Sequence, residues 1–165
     1  MLFSFFLFFS VLAFVCGAPT SSAADAANPL DITGINVTIT LEDLVTNLAD
    51  LSFNVSNPNP FEITIDRIVV AAGVDSTEYI SFDYTFEDPV VVPLFGTANS
   101  GDIEDVTLTQ GGLATLNTVS LGYLDLLNLD LYLREATIDG QLGIPVNATG
   151  LTQDDVPTTY DTPFN

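Results

Sequence analysis

The chain has 165 residues and a formal net charge of −20, from 22 acidic residues against two arginines, with no lysine or histidine. Such a surface repels nucleic acid and anionic headgroups, so nucleic acid is excluded as a partner. Without histidine, and with one cysteine, no Ser-His-Asp, Cys-His or His/Cys zinc centre can be assembled. Paired carboxylates such as Glu42-Asp43 could in principle hydrolyse glycosides, but adjacent residues of a strand point to opposite faces. We therefore expect no enzyme, no catalytic residue and no cofactor.

The first eighteen residues, MLFSFFLFFSVLAFVCGA, are uncharged and mostly apolar. We interpret residues 1–18 as a signal peptide cleaved between about residues 18 and 26, and residues 19–28 as a small-residue linker. The alternative is an uncleaved anchor, because the run is just short of the ~20 residues that span a membrane. Cleavage predicts a secreted protein, whereas an anchor predicts a domain tethered to a membrane and facing the secretory lumen or the exterior.

Cys16 is the only cysteine and lies in this segment, so a processed chain would fold without disulfides. A domain of this size can depend on its core alone, because such chains bury roughly two-thirds of their unfolded surface. Three sequons fit the secretory route and predict N-glycosylation at Asn36, Asn54 and Asn147.

Between Asn28 and Gly111 the sequence is a series of apolar alternations separated by Gly, Pro, Asn and Asp, which predicts β-strands. A carbohydrate-binding platform would also use the aromatic residues of the fourth run. Their alternation places Phe82, Tyr84 and Phe86 on one face, which favours the core. The predicted strands, in chain order, are INVTIT, LADLSFNVS, FEITIDRIVV with a change of phase at Arg67, EYISFDYTFE, PVVVPLF and IEDVTLT.

The next segment, GGLATLNTVSLGYLDLL, breaks this two-residue period. Spacings of three to four residues connect Leu113, Leu116, Val119 or Ser120, and Tyr123, so we predict a short helix that ends or bends at Gly122. Alternation returns in LNLDLYLREATIDGQL, GIPVNATGL predicts the final strand, and TTYDTPFN predicts a tail.

About seven strands at ten-residue spacing predict an all-β fold, a seven-stranded antiparallel β-sandwich with one short helix. We place this domain at residues 29–160, with residues 161–165 as a tail outside it, and expect a monomer.

The step from Asn57 through Pro58, Asn59 and Pro60 to Phe61 separates two of these strands. Proline cannot donate to a sheet ladder, and it pushes the residue before it towards an extended conformation. The asparagine side chains can bond nearby backbone groups. The stretch therefore predicts a stiff corner after which Phe61 re-enters the core, although a proline-rich hairpin turn would explain it as well.

This Asn-Pro-Asn-Pro-Phe step, in LSFNVSNPNPFEITIDRI, resembles the group 2 late-embryogenesis-abundant family, the water-stress and hypersensitive-response domain. The segments YLDLLNLDL and ATIDGQLGIPV resemble the family's late helix and strand and its closing strand pair. The resemblance implies an immunoglobulin or fibronectin III topology, a stress-protection role and no catalytic residues. A lipid-binding groove has been suggested for relatives, while the extreme acidity of this chain departs from the plant members.

Calcium is the metal that acidic loops of an extracellular protein would bind. Asp154 and Asp155 are the best candidates, but no Asp-x-Asp-x-Asp-Gly loop is present, and a solvated acidic surface explains these charges better. The sequence thus predicts a secreted, non-catalytic protein that acts by binding, with a lipid or a cell-surface component as partner class, or by surface protection. The alternative is a membrane-tethered lipid-handling domain.

Overall fold

The structure is a computed structural model that describes residues 28–162. The predicted signal peptide, its cleavage region and Cys16 lie outside these residues. The described chain is mostly β-strand, which confirms the all-β prediction. Its elements are β1 (Asp31–Thr38), α1 (Asp43–Thr46), β2 (Leu48–Ser56), β3 (Glu62–Val74), β4 (Thr77–Val92), β5 (Thr97–Asn99), β6 (Ile103–Leu108), α2 (Gly112–Thr115) with a 3-10 turn over Leu116–Thr118, β7 (Tyr123–Thr137) and β8 (Ile144–Asp161).

The strands form two groups that are joined along both edges. One group is β1-β2-β6, with the short β5 added to β2, and the other is β8-β7-β3-β4. Two residue pairs join β4 to β6, and four parallel pairs, from Ile35–Thr158 to Thr38–Asp161, join β1 to β8. The result is a closed seven-stranded sheet, so the predicted wholly antiparallel arrangement is wrong for the β1–β8 pair.

The predicted tail is also wrong as far as Asp161, because β8 continues to that residue. Val156 and Thr158 are buried and Tyr160 is half-buried, so alternate residues of the segment face inward beside β1. Threonine supplies part of this inward face, and the sequence therefore lacks the apolar alternation that marks the other strands.

The core includes the strand faces predicted from the alternation, together with residues outside them such as Ile68, Val70 and Leu126. Arg67 marks an irregularity in β3, where Asp66 has no partner on β4 or β7, as the change of phase predicts. The aromatic face of β4 packs inward, with Phe86 buried edge-to-face against Phe53 and Tyr84. The buried members of the predicted faces are Ile35, Val37, Ile39, Leu51, Val55, Ile63, Ile65, Ile80, Leu129, Leu131 and Leu133.

The predicted helix is present at α2, but its inward face differs from the prediction. Leu113 is 71% exposed, and Tyr123 belongs to β7 rather than to a helix. Gly112 and Thr115 are buried instead, because the helix lies close against α1. A Cβ atom at Gly112 would come within 2.7 Å of the Leu44 Cα atom, so small residues permit this contact. The second short helix, α1, was not predicted.

Two acidic side chains of β7 stabilise irregular positions of β8. The Asp130 carboxylate accepts a hydrogen bond from the Gly150 amide at 2.7 Å, and the Asp125 carboxylate accepts one from the Asp155 amide at 2.9 Å. Gly150 and Asp155 both have positive φ angles and lie where the β7–β8 register shifts. Part of the acidity therefore serves the fold.

The loops divide between two opposite ends of the domain. The end that we call the corner end contains residues 57–61, 93–96 and 138–143, and the helical end contains residues 39–47, 75–76 and 109–122. The described chain also begins at the corner end, where the Pro29 carbonyl accepts a hydrogen bond from the Asn59 side chain. Over residues 28–162, none of the helices has the length and apolar character needed to cross a membrane.

Candidate functional site

Asn57 is the buried centre of the corner end, at 1% exposure. Its side-chain nitrogen donates to the carbonyls of Phe61 at 2.8 Å, Pro93 at 3.1 Å and Val92 at 3.3 Å. Its side-chain oxygen accepts from the Asn59 amide at 2.9 Å. One side chain thus joins residues 57–61 to the end of β4, and the predicted bonding of the asparagines to nearby backbone is confirmed.

The corner is not a hairpin turn. β2 pairs with β1, β5 and β6, whereas β3 pairs with β4 and β7, so residues 57–61 carry the chain from one strand group to the other. Pro58 and Pro60 are exposed, and Phe61 packs partly against the core, as predicted. The family-like motif therefore has a structural task here, and its asparagines are occupied by backbone groups.

Arg134 fixes the second loop of this end, residues 138–143. Its guanidinium makes hydrogen bonds of 2.7–3.2 Å to both carboxylate oxygens of Asp66 and donates to the carbonyls of Gly140 and Leu142 at 3.0 Å. The hydrogen bond to Asp66 raises the pKa of Arg134, so this arginine stays charged. A bidentate ion pair therefore ties the loop to the irregular position of β3.

A second polar group holds the same loop from the β3 side. Glu62 accepts hydrogen bonds from the Gly140 amide at 2.9 Å and the Thr137 hydroxyl at 2.8 Å, and the Thr137 and Thr64 hydroxyls are 2.9 Å apart. Thr64 and Thr137 are buried. Within the described chain, every buried side-chain nitrogen and oxygen has a partner.

These fixed loops expose large apolar side chains. In the 93–96 turn Phe95 is 70% exposed, and in the 138–143 loop Leu142 is 80% exposed. The Phe95 backbone is nonetheless held, since its amide donates to the Asn59 carbonyl at 3.1 Å. A loop with so many backbone contacts has a defined shape, and this shape directs apolar groups into solvent. The exposed apolar set of the corner end is Leu94, Phe95, Ile138, Leu142 and Ile144.

A cavity of about 20 Å³ lies between the two strand groups, lined only by apolar side chains that include Leu51, Phe82 and Leu129. It accommodates about one water molecule, whereas sites for drug-sized ligands measure about 300–1,000 Å³. A shallow cleft of about 200 Å³ at the helical end, lined by Thr38–Thr40, Asp161 and Thr162, is open to solvent. The cavity between the strand groups is therefore too small to hold a lipid chain.

The structure places the other predicted positions on the surface. Asp154 and Asp155 are exposed on β8, and among the described residues no group of three or more acidic, Cys or His side chains is arranged to hold a metal ion. The three sequon asparagines are likewise exposed. They are Asn36 on β1, Asn54 on β2 and Asn147 on β8.

Sequence reasoning identified Asn57 and missed the contributions of Arg134, Glu62 and the exposed loop residues. A signal for Arg134 was present, because a chain with only two arginines places one of them four residues before an Ile-Asp-Gly turn segment. No family model matches this chain, and no curated protein is significantly similar to it.

Proposed function

We propose that this chain is a secreted, glycosylated, non-catalytic binding domain related to the group 2 late-embryogenesis-abundant family, monomeric and acting in surface or stress protection. In this proposal the strand groups β1-β2-β6 and β4-β3-β7-β8 correspond to the two sheets of a fibronectin III-like sandwich joined at both edges. The buried Asn57 bonds support the relationship, because they give the Asn-Pro-Asn-Pro-Phe step a specific structural reason.

The binding surface in this proposal is the corner end. The observation that carries it is the combination of two loops held by buried or partly buried polar groups with five large apolar side chains left in solvent. Singly exposed apolar residues are common on soluble proteins, whereas grouped ones mark interaction surfaces. The polar groups maintain the shape of the loops and leave Phe95 and Leu142 free for a partner.

Retention of the full chain on an octyl matrix tests this assignment. We expect the double substitution Phe95→Ser and Leu142→Ser to lower the adsorption constant at least about thirtyfold, because transfer of each exposed side chain to an apolar phase contributes about 1–2 kcal/mol. The matched control is Val45→Ser with Leu113→Ser, which removes two equally exposed residues, at 82% and 71%, from the helical end. Equal loss from both pairs, or loss only from the control pair, would refute the corner end as the binding surface.

The alternative function is a membrane-tethered domain held by a retained N-terminal segment. It is favoured by one observation, that the chain enters the domain at the corner end beside Asn59. Intact mass measurement of the chain made in a eukaryotic secretory host separates the two cases. Secretion predicts a glycosylated species in the medium that begins between residues 19 and 27, and tethering predicts an intact Met1 in the membrane fraction.

A further inference from the structure

We propose that the partner of the corner end is the surface of a lipid bilayer with electrically neutral headgroups, into which Phe95 and Leu142 insert. This inference rests on the proposed function, since it names the partner class of the same binding surface. It specifies contact with a bilayer from outside the domain, because the apolar cavity of about 20 Å³ holds no lipid chain.

The position of the N-terminal segment is the first argument. Residues 1–18 are apolar and uncharged, and residues 19–27 link them to the described domain. Nine extended residues reach at most roughly 30 Å, whereas the 16-residue strand β4 measures roughly 50 Å between the two ends of the domain. The chain enters at Pro29, which is bonded to Asn59. While the apolar segment is still attached and lies in a membrane, that membrane therefore meets the corner end first, and the secreted domain keeps this surface after cleavage.

The distribution of charge is the second argument. The three corner-end loops contain one carboxylate, Asp139, in a chain with 22 acidic residues, while Asp31, Glu62 and Glu135 flank these loops on β1, β3 and β7. Both cationic side chains of the described domain are already paired, Arg134 with Asp66 and Arg67 with Asp83, so neither is free to bind anionic headgroups. A second copy of the chain is disfavoured because two molecules of charge −20 repel each other. A bilayer with uncharged headgroups needs no cation on the protein and does not repel its acidic surface.

The shape of the loops is the third argument. The exposed side chains lie on two neighbouring loops at one end: a Cβ atom at Gly140 would meet the Val91 side chain at 2.7 Å, so the 138–143 loop packs against the end of β4. Peripheral apolar groups enter roughly 5–10 Å into the boundary between headgroups and acyl chains. Loop tips of a few residues suit that depth, and a fixed loop shape avoids an ordering cost on binding.

Tryptophan emission tests the inference, because the chain contains no tryptophan. Leu142→Trp and Val45→Trp are made separately in the full chain. Each variant is mixed with phosphatidylcholine vesicles, or reconstituted into such vesicles where the expression host retains Met1. We expect Leu142→Trp emission to shift to the blue and to fall about twofold with brominated acyl chains, as insertion to that depth requires. Val45→Trp should not change. Anionic lipid should weaken the binding of the unanchored chain, and salt should restore it.

Each outcome has a separate meaning. Quenching of Val45→Trp alone, or of both residues equally, would overturn the proposed orientation. Absence of quenching at Leu142, with the octyl-matrix difference intact, would overturn the bilayer while leaving the corner end as a surface for a protein partner. Stronger binding to anionic than to neutral vesicles would overturn the choice of headgroup. Unchanged circular dichroism and melting temperature show that both variants are folded.

Discussion

Replacement of Asn57 by aspartate is expected to destabilise the domain by about 3–5 kcal/mol at neutral pH, the range for an uncompensated buried charge. The asparagine nitrogen faces the carbonyls of Phe61, Val92 and Pro93, and an ionised carboxylate cannot donate to any of them. Its charge would lie beside three carbonyl oxygens at a position that is 1% exposed. Thermal and urea unfolding measure the loss.

The pH dependence of this variant provides a second test. Burial and the carbonyl dipoles raise the pKa of the introduced carboxyl group in the folded state above its unfolded value. The folded state then binds more protons than the unfolded state between these two pKa values, so stability falls as pH rises through that window. The deficit should shrink in mildly acidic buffer. Asn117→Asp, at an exposed position, is the matched control, and an equal effect of both substitutions would contradict the structural role of Asn57.

Replacement of Arg134 by methionine is expected to cost about 2 kcal/mol in the free energy of unfolding, because hydrogen bonds to charged groups contribute about 1.5–3 kcal/mol each when buried. We expect a loss in the lower part of that range because 23% of the Arg134 side chain is exposed, and solvent screens its ion pair with Asp66. The variant also releases the carbonyls of Gly140 and Leu142. We therefore expect weaker octyl-matrix retention together with the lower stability.

Arg67→Met is the matched control, since it makes the same change in net charge. Arg67 pairs with Asp83 on an exposed face of β3 and β4 and lies over the Tyr132 ring, away from the corner-end loops. Its replacement should have a smaller effect on the unfolding midpoint and none on retention. Arg134→Lys should resemble Arg134→Met, because an ammonium group cannot reproduce the bidentate geometry and both carbonyl contacts. Equal effects of the Arg67 and Arg134 substitutions would argue against a specific role for Arg134.

The strands with apolar alternation could be predicted from the sequence, and the edges that join them could not. LADLSFNVS matches β2, because the alternating residues Leu51, Phe53 and Val55 form its buried inward face. The parallel β1–β8 pair was not predicted because its inward face includes Thr158. Threonine is common both in strands and in exposed tails, so its presence did not indicate a strand. The closure of the sheet depends on a few such pairs. Local periodicity contains no information about which edges meet.

The candidate site could likewise be predicted only in part from the sequence. Asn57 was identified because proline and asparagine have strong local backbone preferences. The role of Arg134 depends on Asp66, which is 68 residues away in the chain, and only the folded topology brings the two together. Exposure of Leu142 was equally hidden, because a leucine near a strand is expected in a core. The β7–β8 connection instead directs this side chain into solvent.

Amide hydrogen exchange of the full chain, with and without phosphatidylcholine vesicles, tests the central claim that fixed loops at the corner end form the binding surface. Without vesicles, the amides of Asn59 and Gly140 should exchange slowly despite their loop positions, because they donate to Asn57 and Glu62. With vesicles, protection should increase over residues 93–96 and 138–144 and stay unchanged over residues 41–46 and 111–121. Fast exchange at both amides in the free chain, or new protection confined to the helical end, would contradict the account.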